Sequence, residues 1–208
     1  GSAWSRACPG VNNDLFGVWG SSGTDVFATG ERMILHGGSN GPWTLQAFGV
    51  DVDDVFAVSA NDLFAVASGS VLRGNGNSWS HMIANPGGHL SALWGSSAQD
   101  VFAVGHVLQH FDGATWTAMA WPAGMVGGSL VGIWGSGPTD VWAVGGSYIC
   151  HYDGTAWSVS SNVAGNLYLG VGGTSASDVY VVGANGVIRH YDGTSWSTMT
   201  SGTTATLR

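Results

Sequence analysis

The sequence is poor in charge, and its gaps exclude several classes of function. Of 208 residues only five are basic, all arginine, and 13 are acidic, so charged residues make up 9% and the formal net charge is −8. An average globular domain carries about 25% charged residues. With no lysine and five scattered arginines, no basic stripe can be assembled against a phosphate backbone, which argues against nucleic acid and against an anionic membrane surface. The phosphate-cradling glycine loop, which needs a lysine, is also missing. No run of about 18 apolar residues is present, so membrane insertion is not expected. The two cysteines, Cys8 and Cys150, cannot build a disulfide framework, and no Cys/His spacing resembles a zinc site. Cys150 reads either as a small buried hydrophobe or as one end of a bridge to Cys8. No segment carries the 3.6-residue period of a helix.

What is present is repetition. Glycine supplies 35 residues, but 11 tryptophans and 44% hydrophobic content argue for a packed chain with many tight turns. Tryptophan is followed by Ser or Thr at Trp4, Trp43, Trp79, Trp116, Trp157 and Trp196, at spacings of 39, 36, 37, 41 and 39. A second landmark, Asp25, Asp62, Asp100, Asp140 and Asp178, precedes a short β-rich run each time, at spacings of 37, 38, 40 and 38. A period of about 40 without helix marks a β-propeller, each unit a four-stranded blade. The expected fold is therefore all-β: a single five-bladed propeller domain over residues 1–208, monomeric, each blade with four antiparallel strands A to D. Six outer-strand tryptophans for five aspartates leave the Trp4 segment over, and it is expected to take part in ring closure.

Within a unit the order is an apolar run, a turn ending in Asp, a second run, a glycine turn, a third run, Asp-Gly, then the Trp run. Asp112-Gly113, Asp153-Gly154 and Asp192-Gly193 read as type I′ hairpins, in which both central residues need positive φ. His36, His110, His151 and His190 stand just before the C-to-D turn. They read as scaffold partners of the repeated Asp, satisfying polar groups between packed blades. Trp19, Trp94 and Trp134 on strand A read as packing. The second unit departs from the pattern, with Val58 at the Trp position, a shortened A–B turn and Gly74 where a His is expected; the fifth has Gly172 at the Trp position.

Trp94-Gly95-Ser96 leading to Asp100-Val101-Phe102-Ala103-Val104-Gly105, then His110-Phe111-Asp112-Gly113 and Trp116-Thr117, resembles the tandem repeats of large secreted bacterial β-propeller proteins. The likeness recurs from Trp134 to Trp157 and from Val171 to Trp196. The Asp-Gly-x-x-Trp part is also similar to a shortened Asp-box of sialidase-type propellers, where the turn is structural and carries no catalytic residue across. The resemblance implies a secreted or cell-surface protein. A surface of Ser, Thr, Asn and Gly agrees with this, and Gly1-Ser2 looks like a cloning scar that leaves room for an export signal upstream.

Function is expected where the repeat breaks, in the D-to-A loops. Trp121 lies off the Trp period and is a candidate stacking platform; Tyr168 is a second candidate contact, or the first residue of a strand A. Asp51, Asp53 and Asp54 are further candidate ligand contacts; they offer oxygen ligands to calcium or form a solvated turn, and without a defined loop pattern no metal site is assigned. Glu31 is the only glutamate, and the repeated Asp residues sit at strand starts, so the facing carboxylate pair of a glycosidase has little support. There is no nucleophile-elbow motif and no cofactor motif. The expectation is a non-enzymatic binding module, first a carbohydrate-binding, lectin-like propeller, and alternatively a protein-interaction or spacer module.

Overall fold

A computed structural model describes residues 12–39, 41–83 and 86–208. The Trp4 segment and Cys8 lie outside the described residues. Two compact units are formed, residues 1–82 and 83–208. The first unit holds two four-stranded antiparallel sheets. One is β1 (Leu15–Ser22), β2 (Asp25–Gly30), β3 (Met33–Gly37) and β4 (Thr44–Ala47); the other is β5 (Val52–Ser59), β6 (Asp62–Ala67), β7 (Ser70–Gly74) and β8 (Trp79–Ile83), whose last residue falls at the division. The second unit holds three more. These are β9 (Leu90–Ser97), β10 (Asp100–Gly105), β11 (Leu108–Phe111) and β12 (Trp116–Ala118); then β13 (Gly132–Gly137), β14 (Asp140–Gly145), β15 (Tyr148–Tyr152) and β16 (Trp157–Asn162); then β17 (Tyr168–Ser175), β18 (Asp178–Gly183), β19 (Ile188–Tyr191) and β20 (Trp196–Met199). Strands pair in chain order within every sheet. These are the five four-stranded blades of a β-propeller, with a single 3-10 turn at Ala184–Gly186 as the only helical element among the described residues.

The register aligns one row of side chains across each blade. Trp94 pairs with Phe102, Phe102 with His110 and His110 with Thr117. The same row reads Trp19, Phe27, His36, Thr44 in the first blade and Trp134, Trp142, His151, Ser158 in the fourth. In the fifth it reads Gly172, Tyr180, His190, Ser197. Each row His lies flat on the aromatic ring beside it, with centroids 4.1 to 4.4 Å apart. Its Nε2 reaches the repeated Asp at 2.8 Å (Asp25), 2.6 Å (Asp100), 2.7 Å (Asp140) and 2.8 Å (Asp178). An ionised carboxylate only accepts, so Nε2 carries the proton. The second carboxylate oxygen accepts from a hydroxyl four residues earlier, Ser21, Ser96, Ser136 or Thr174.

The second blade keeps this design with different chemistry, which corrects the sequence reading. Phe56 pairs with Phe64 and Phe64 with Arg73. The row positions are therefore Phe56 and Arg73, not Val58 and Gly74, and the A–B turn is not shortened, since Ser59 faces Asp62 as Ser22 faces Asp25. Val58 stands where the other blades carry the hydroxyl. Arg73 compensates by taking both carboxylate oxygens of Asp62, through Nε at 2.7 Å and Nη2 at 3.0 Å. Its guanidinium also lies 5.1 Å from the Phe64 ring centre, replacing the stacked imidazole.

Aromatic rings join neighbouring blades within each unit. Phe102 is closed over by Tyr152 and Trp157 of the next blade, and Trp142 by Tyr191 and Trp196. The strand-A tryptophans press on small residues of the following strand A. A Cβ on Gly135 would sit 2.6 Å from Trp94, one on Gly173 2.8 Å from Trp134, and Trp19 Nε1 donates to the Ala57 carbonyl at 2.7 Å. Outer tryptophans also donate backwards, Trp79 to Gln46 and Trp196 to Ser160. Cys150 is a free, fully buried thiol whose surroundings push its pKa up to about 12.

The Asp-Gly turns differ from the expected type I′ hairpins. Phe111 pairs with Trp116, so four residues make the connection, and only the glycine is left-handed, at φ 95° for Gly113 and 91° for Gly154 and Gly193. The aspartate serves as an acceptor instead. Asp112 Oδ1 takes the N–H groups of Ala114 and Thr115, and Asp153 and Asp192 do the same in their turns. These backbone donors hold the three carboxyls below the ordinary 3.8. Burial would raise Asp100, but the hydrogen bonds from His110 and Ser96 outweigh it and leave that carboxyl lowered too. A second backbone requirement closes strand B in the third, fourth and fifth blades: a Cβ on Gly105, Gly145 or Gly183 would lie 2.0 to 2.1 Å from the carbonyl of the chain entering strand A.

Three consequences are measurable. Asp140→Ala strands the half-buried His151 imidazole and should lower stability by about 1–3 kcal/mol in denaturant unfolding, with no effect on any ligand. Gly145→Ala forces backbone displacement and should cost about 1–3 kcal/mol or more, the range for overpacked sites. The depressed carboxyls contribute stability that is complete above the ordinary value of 3.8 and is lost as pH falls through their lower folded values. The melting temperature should thus change little with these groups near neutrality and fall on acidification through and below that value.

Candidate functional site

The structure packs both candidate aromatics inward, Tyr168 completely and Trp121 in part. Trp121 is half-buried and packs, with Met119 and Met125, on the core shared by the third and fourth blades. Its loop is pinned by a bridge from Ala123 to Ser158 on β16 and by the turn from Met125 N–H to the Pro122 carbonyl at 3.1 Å. Folding a large ring back over the blade removes more apolar area from water than holding it out as a platform. Tyr168 is fully buried as the first residue of β17, where its hydroxyl accepts from Asn166 at 2.9 Å and Arg189 at 3.4 Å. It is a core residue and not a surface contact.

The acidic candidates separate as well. Asp51 is exposed, and its carbonyl accepts from Ser68. Asp53 and Asp54 belong to β5 and not to a loop, at the bulge between Val52 and Asp54. Asp54 accepts from Val55 N–H at 2.9 Å and lies against Gly17 of the first blade. Among the described residues no three His, Cys, Asp or Glu side chains gather as metal ligands would.

A different feature stands out in the fifth blade. An open hollow of about 820 Å³ is bordered by Asn166, the Ala184–Gly186 turn, Thr198 and the segment 200–204. It lies at the end shared by the D-to-A and B-to-C connections. Asn185 adopts a left-handed conformation at φ 57°, which Asn tolerates, and Gly186 follows at φ 69°. A Cβ on Gly186 would meet the Thr203 carbonyl at 2.0 Å, so only glycine lets the tail approach. The tail is ordered by its own hydroxyls: Ser201 Oγ donates to the Thr203 carbonyl, and Thr203 Oγ1 accepts from Ala205 N–H, both at 3.0 Å.

No charged side chain and no aromatic ring lines this hollow. Beside it is the buried Arg189, whose guanidinium donates to the carbonyls of Trp196 and Ser197 and to the Tyr168 hydroxyl. That hydroxyl also holds Asn166 at the rim. The arrangement offers amide and hydroxyl groups on a preformed frame, suited to hydrogen-bonding a neutral polar ligand. It carries neither a nucleophile–base pair nor facing carboxylates. One sequence signal pointed here: the Asp-to-His separation is 12 residues in this blade against 10 or 11 elsewhere, reflecting the longer Ala184–Gly186 connection.

A scan against protein-family models finds no match, and a search of curated proteins finds none. Solved structures do resemble the chain. YCF48 from Cyanidioschyzon merolae is 13% identical, with a TM-score of 0.73 over 98% of this chain and 77% of its own. YCF48 bound to D1 peptide is 12% identical, with a TM-score of 0.50 over 93% of this chain and 84% of its own. The extracellular domain of the hybrid two-component system BT4673 from B. thetaiotaomicron is 12% identical, with a TM-score of 0.71 over 96% of this chain and 30% of its own. At such identities the likeness establishes the β-propeller fold and nothing finer.

Proposed function

We propose that this chain is a non-catalytic binding module that takes an extended, neutral polar segment of a protein partner in the hollow of its fifth blade. The observation that carries this reading is the chemistry of the wall. Asn166, Asn185, Thr198, Thr200, Ser201 and Thr204 present side-chain donors and acceptors without a charge among them. Such groups match the alternating N–H and C=O of a peptide backbone. One protein of similar fold was solved bound to D1 peptide, which makes this use of the fold a reasonable model. A glycan is the second reading, since the same hydroxyl and amide groups suit sugars, but sugar recognition leans on exposed aromatic faces and both candidate platforms are packed inward. Secretion or surface display belongs to the same proposal and rests on the lysine-free Ser/Thr/Asn/Gly-rich surface.

The test probes the whole chain against a random peptide library and a glycan array, in parallel with the double variant Thr198→Arg/Thr204→Arg. Both positions are exposed, so the variant should melt like the parent while filling the hollow. Peptide binding lost in the variant is the expected outcome. Glycan binding competed by a simple sugar would replace the peptide reading, binding retained in the variant would move the site elsewhere, and hydrolysis of chromogenic glycosides would overturn the non-catalytic assignment.

A further inference from the structure

The second blade carries a small polar hollow where its A–B and C–D turns meet, and every residue around it belongs to that one blade. The two turns are in contact there, since a Cβ on Gly76 would lie 2.6 Å from the Ala60 carbonyl. The hollow has a volume of about 370 Å³ and is bordered by Asn61, Asp62, Arg73, Asn75, Ser78 and Ser80. Arg73 gives Asp62 one side of its guanidinium, through Nε at 2.7 Å and Nη2 at 3.0 Å. A guanidinium has further N–H groups on its Nη1–Nη2 edge. No acceptor among the described residues takes that edge. The Arg73 side chain is 36% exposed. His110 and His151 hold the same row position with a following blade packed beside them and still keep 26%. The position is therefore open to water whatever blade comes next.

Charge separates this place from its counterparts in the later blades. There the C–D turn is capped by Asp112, Asp153 or Asp192, so two carboxylates stand beside one imidazole. In the second blade Asn75 Oδ1 caps the turn instead, accepting from the N–H groups of Asn77 at 3.1 Å and Ser78 at 2.9 Å. It adds no charge, and with Oδ1 committed to the turn its Nδ2 is left to donate. The hollow thus combines one carboxylate with one guanidinium, and the donors outnumber the acceptors. We propose that it binds a single carboxylate, as an acidic side chain or a chain end presents it, held by the Nη1–Nη2 edge of Arg73 with the Asn75 amide beside it. The planar edge of a guanidinium matches a carboxylate in a bidentate pair. Asp62 and the net charge of −8 disfavour a ligand with two negative charges, such as sulfate. The site lies within the first compact unit and does not depend on the reading of the fifth-blade hollow.

Titration of the full, isotope-labelled chain, followed by backbone and arginine side-chain NMR shifts, tests this. Acetyl-glutamate amide supplies a side-chain carboxylate, N-acetylglycine a main-chain one, acetyl-glutamine amide a neutral group of the same shape, and sulfate a doubly charged anion. Expected are saturable shifts at Arg73, Asn75 and Ser78 with one or both carboxylates, at roughly millimolar affinity, and none with the glutamine probe. A response to the glutamate probe alone assigns the site to acidic side chains, and one to N-acetylglycine alone assigns it to chain ends. Asn75→Asp places at the turn the carboxylate of the later blades and leaves the Arg73–Asp62 pair in place; Asn75 is exposed, so this variant should melt like the parent and lose the response. The double variant Val58→Ser/Arg73→His rebuilds the hydroxyl, Asp and His of the other blades and should lose it too. Equal shifts with the glutamine probe, tighter binding of sulfate, or a response retained in folded Asn75→Asp would each overturn the proposal. So would the lack of a saturable shift with either carboxylate.

Discussion

The hydrogen-bonded carboxylate at the start of each strand B is the constraint on which the rest of a blade depends. It cannot be left half-buried without donors, because an unsatisfied ionised oxygen at that depth costs more than most single contacts return. Its two oxygens reach in two directions. One collects the hydroxyl of the A–B turn, the other the ring of strand C, so a single group holds three strands in register. The ring so placed lies flat on the strand-B aromatic, and that aromatic forms the bed for the Tyr and Trp of the next hairpin. Polar satisfaction inside one blade and apolar packing between two blades are thus successive steps of one chain of contacts.

The second blade shows which part of this arrangement is essential. Loss of the hydroxyl at Val58 would leave an oxygen of Asp62 without its donor; an arginine in place of the histidine supplies both donors from one planar group and still covers the aromatic ring. Two departures from the repeat, each destabilising alone, are consistent together. What the fold requires is two donors and a flat cation or ring at this point, and the residue type can vary while that requirement is met.

This explains what was legible in the sequence. The Asp and Trp periods follow from contacts that recur from blade to blade at the same place, so they give blade count, strand order and the scaffold role of the His–Asp pairs. The second blade is less legible, because Phe56 and Arg73 occupy the row where the pattern points to Val58 and Gly74. Asp-Gly alone does not distinguish a two-residue turn from this four-residue one, in which the carboxylate caps two N–H groups. Trp121 reads as an exposed platform because it breaks the repeat, whereas Tyr168 takes the first position of strand A, the alternative its place beside the repeat leaves open. Whether an off-period aromatic faces water depends on which long-range partner is near, here the cores that include Cys150 and Trp142, and no local pattern encodes that.

The same reasoning locates functional freedom. Positions in the row are committed to satisfying one another, so altering them for a ligand would loosen the blade that carries the ligand. The fifth blade is less committed. Its Gly172 releases the strand-A ring position, and its longer B-to-C connection with Asn185 and Gly186 reshapes the loop end without touching Asp178 or His190. Arg189 stands directly beside His190 in the chain but faces the other side of the strand, where carbonyls and Tyr168 neutralise it and fix Asn166. One strand therefore supports the conserved geometry of the repeat on one side and the variable polar rim on the other, and the alternation of side chains along a β-strand keeps the two tasks from interfering.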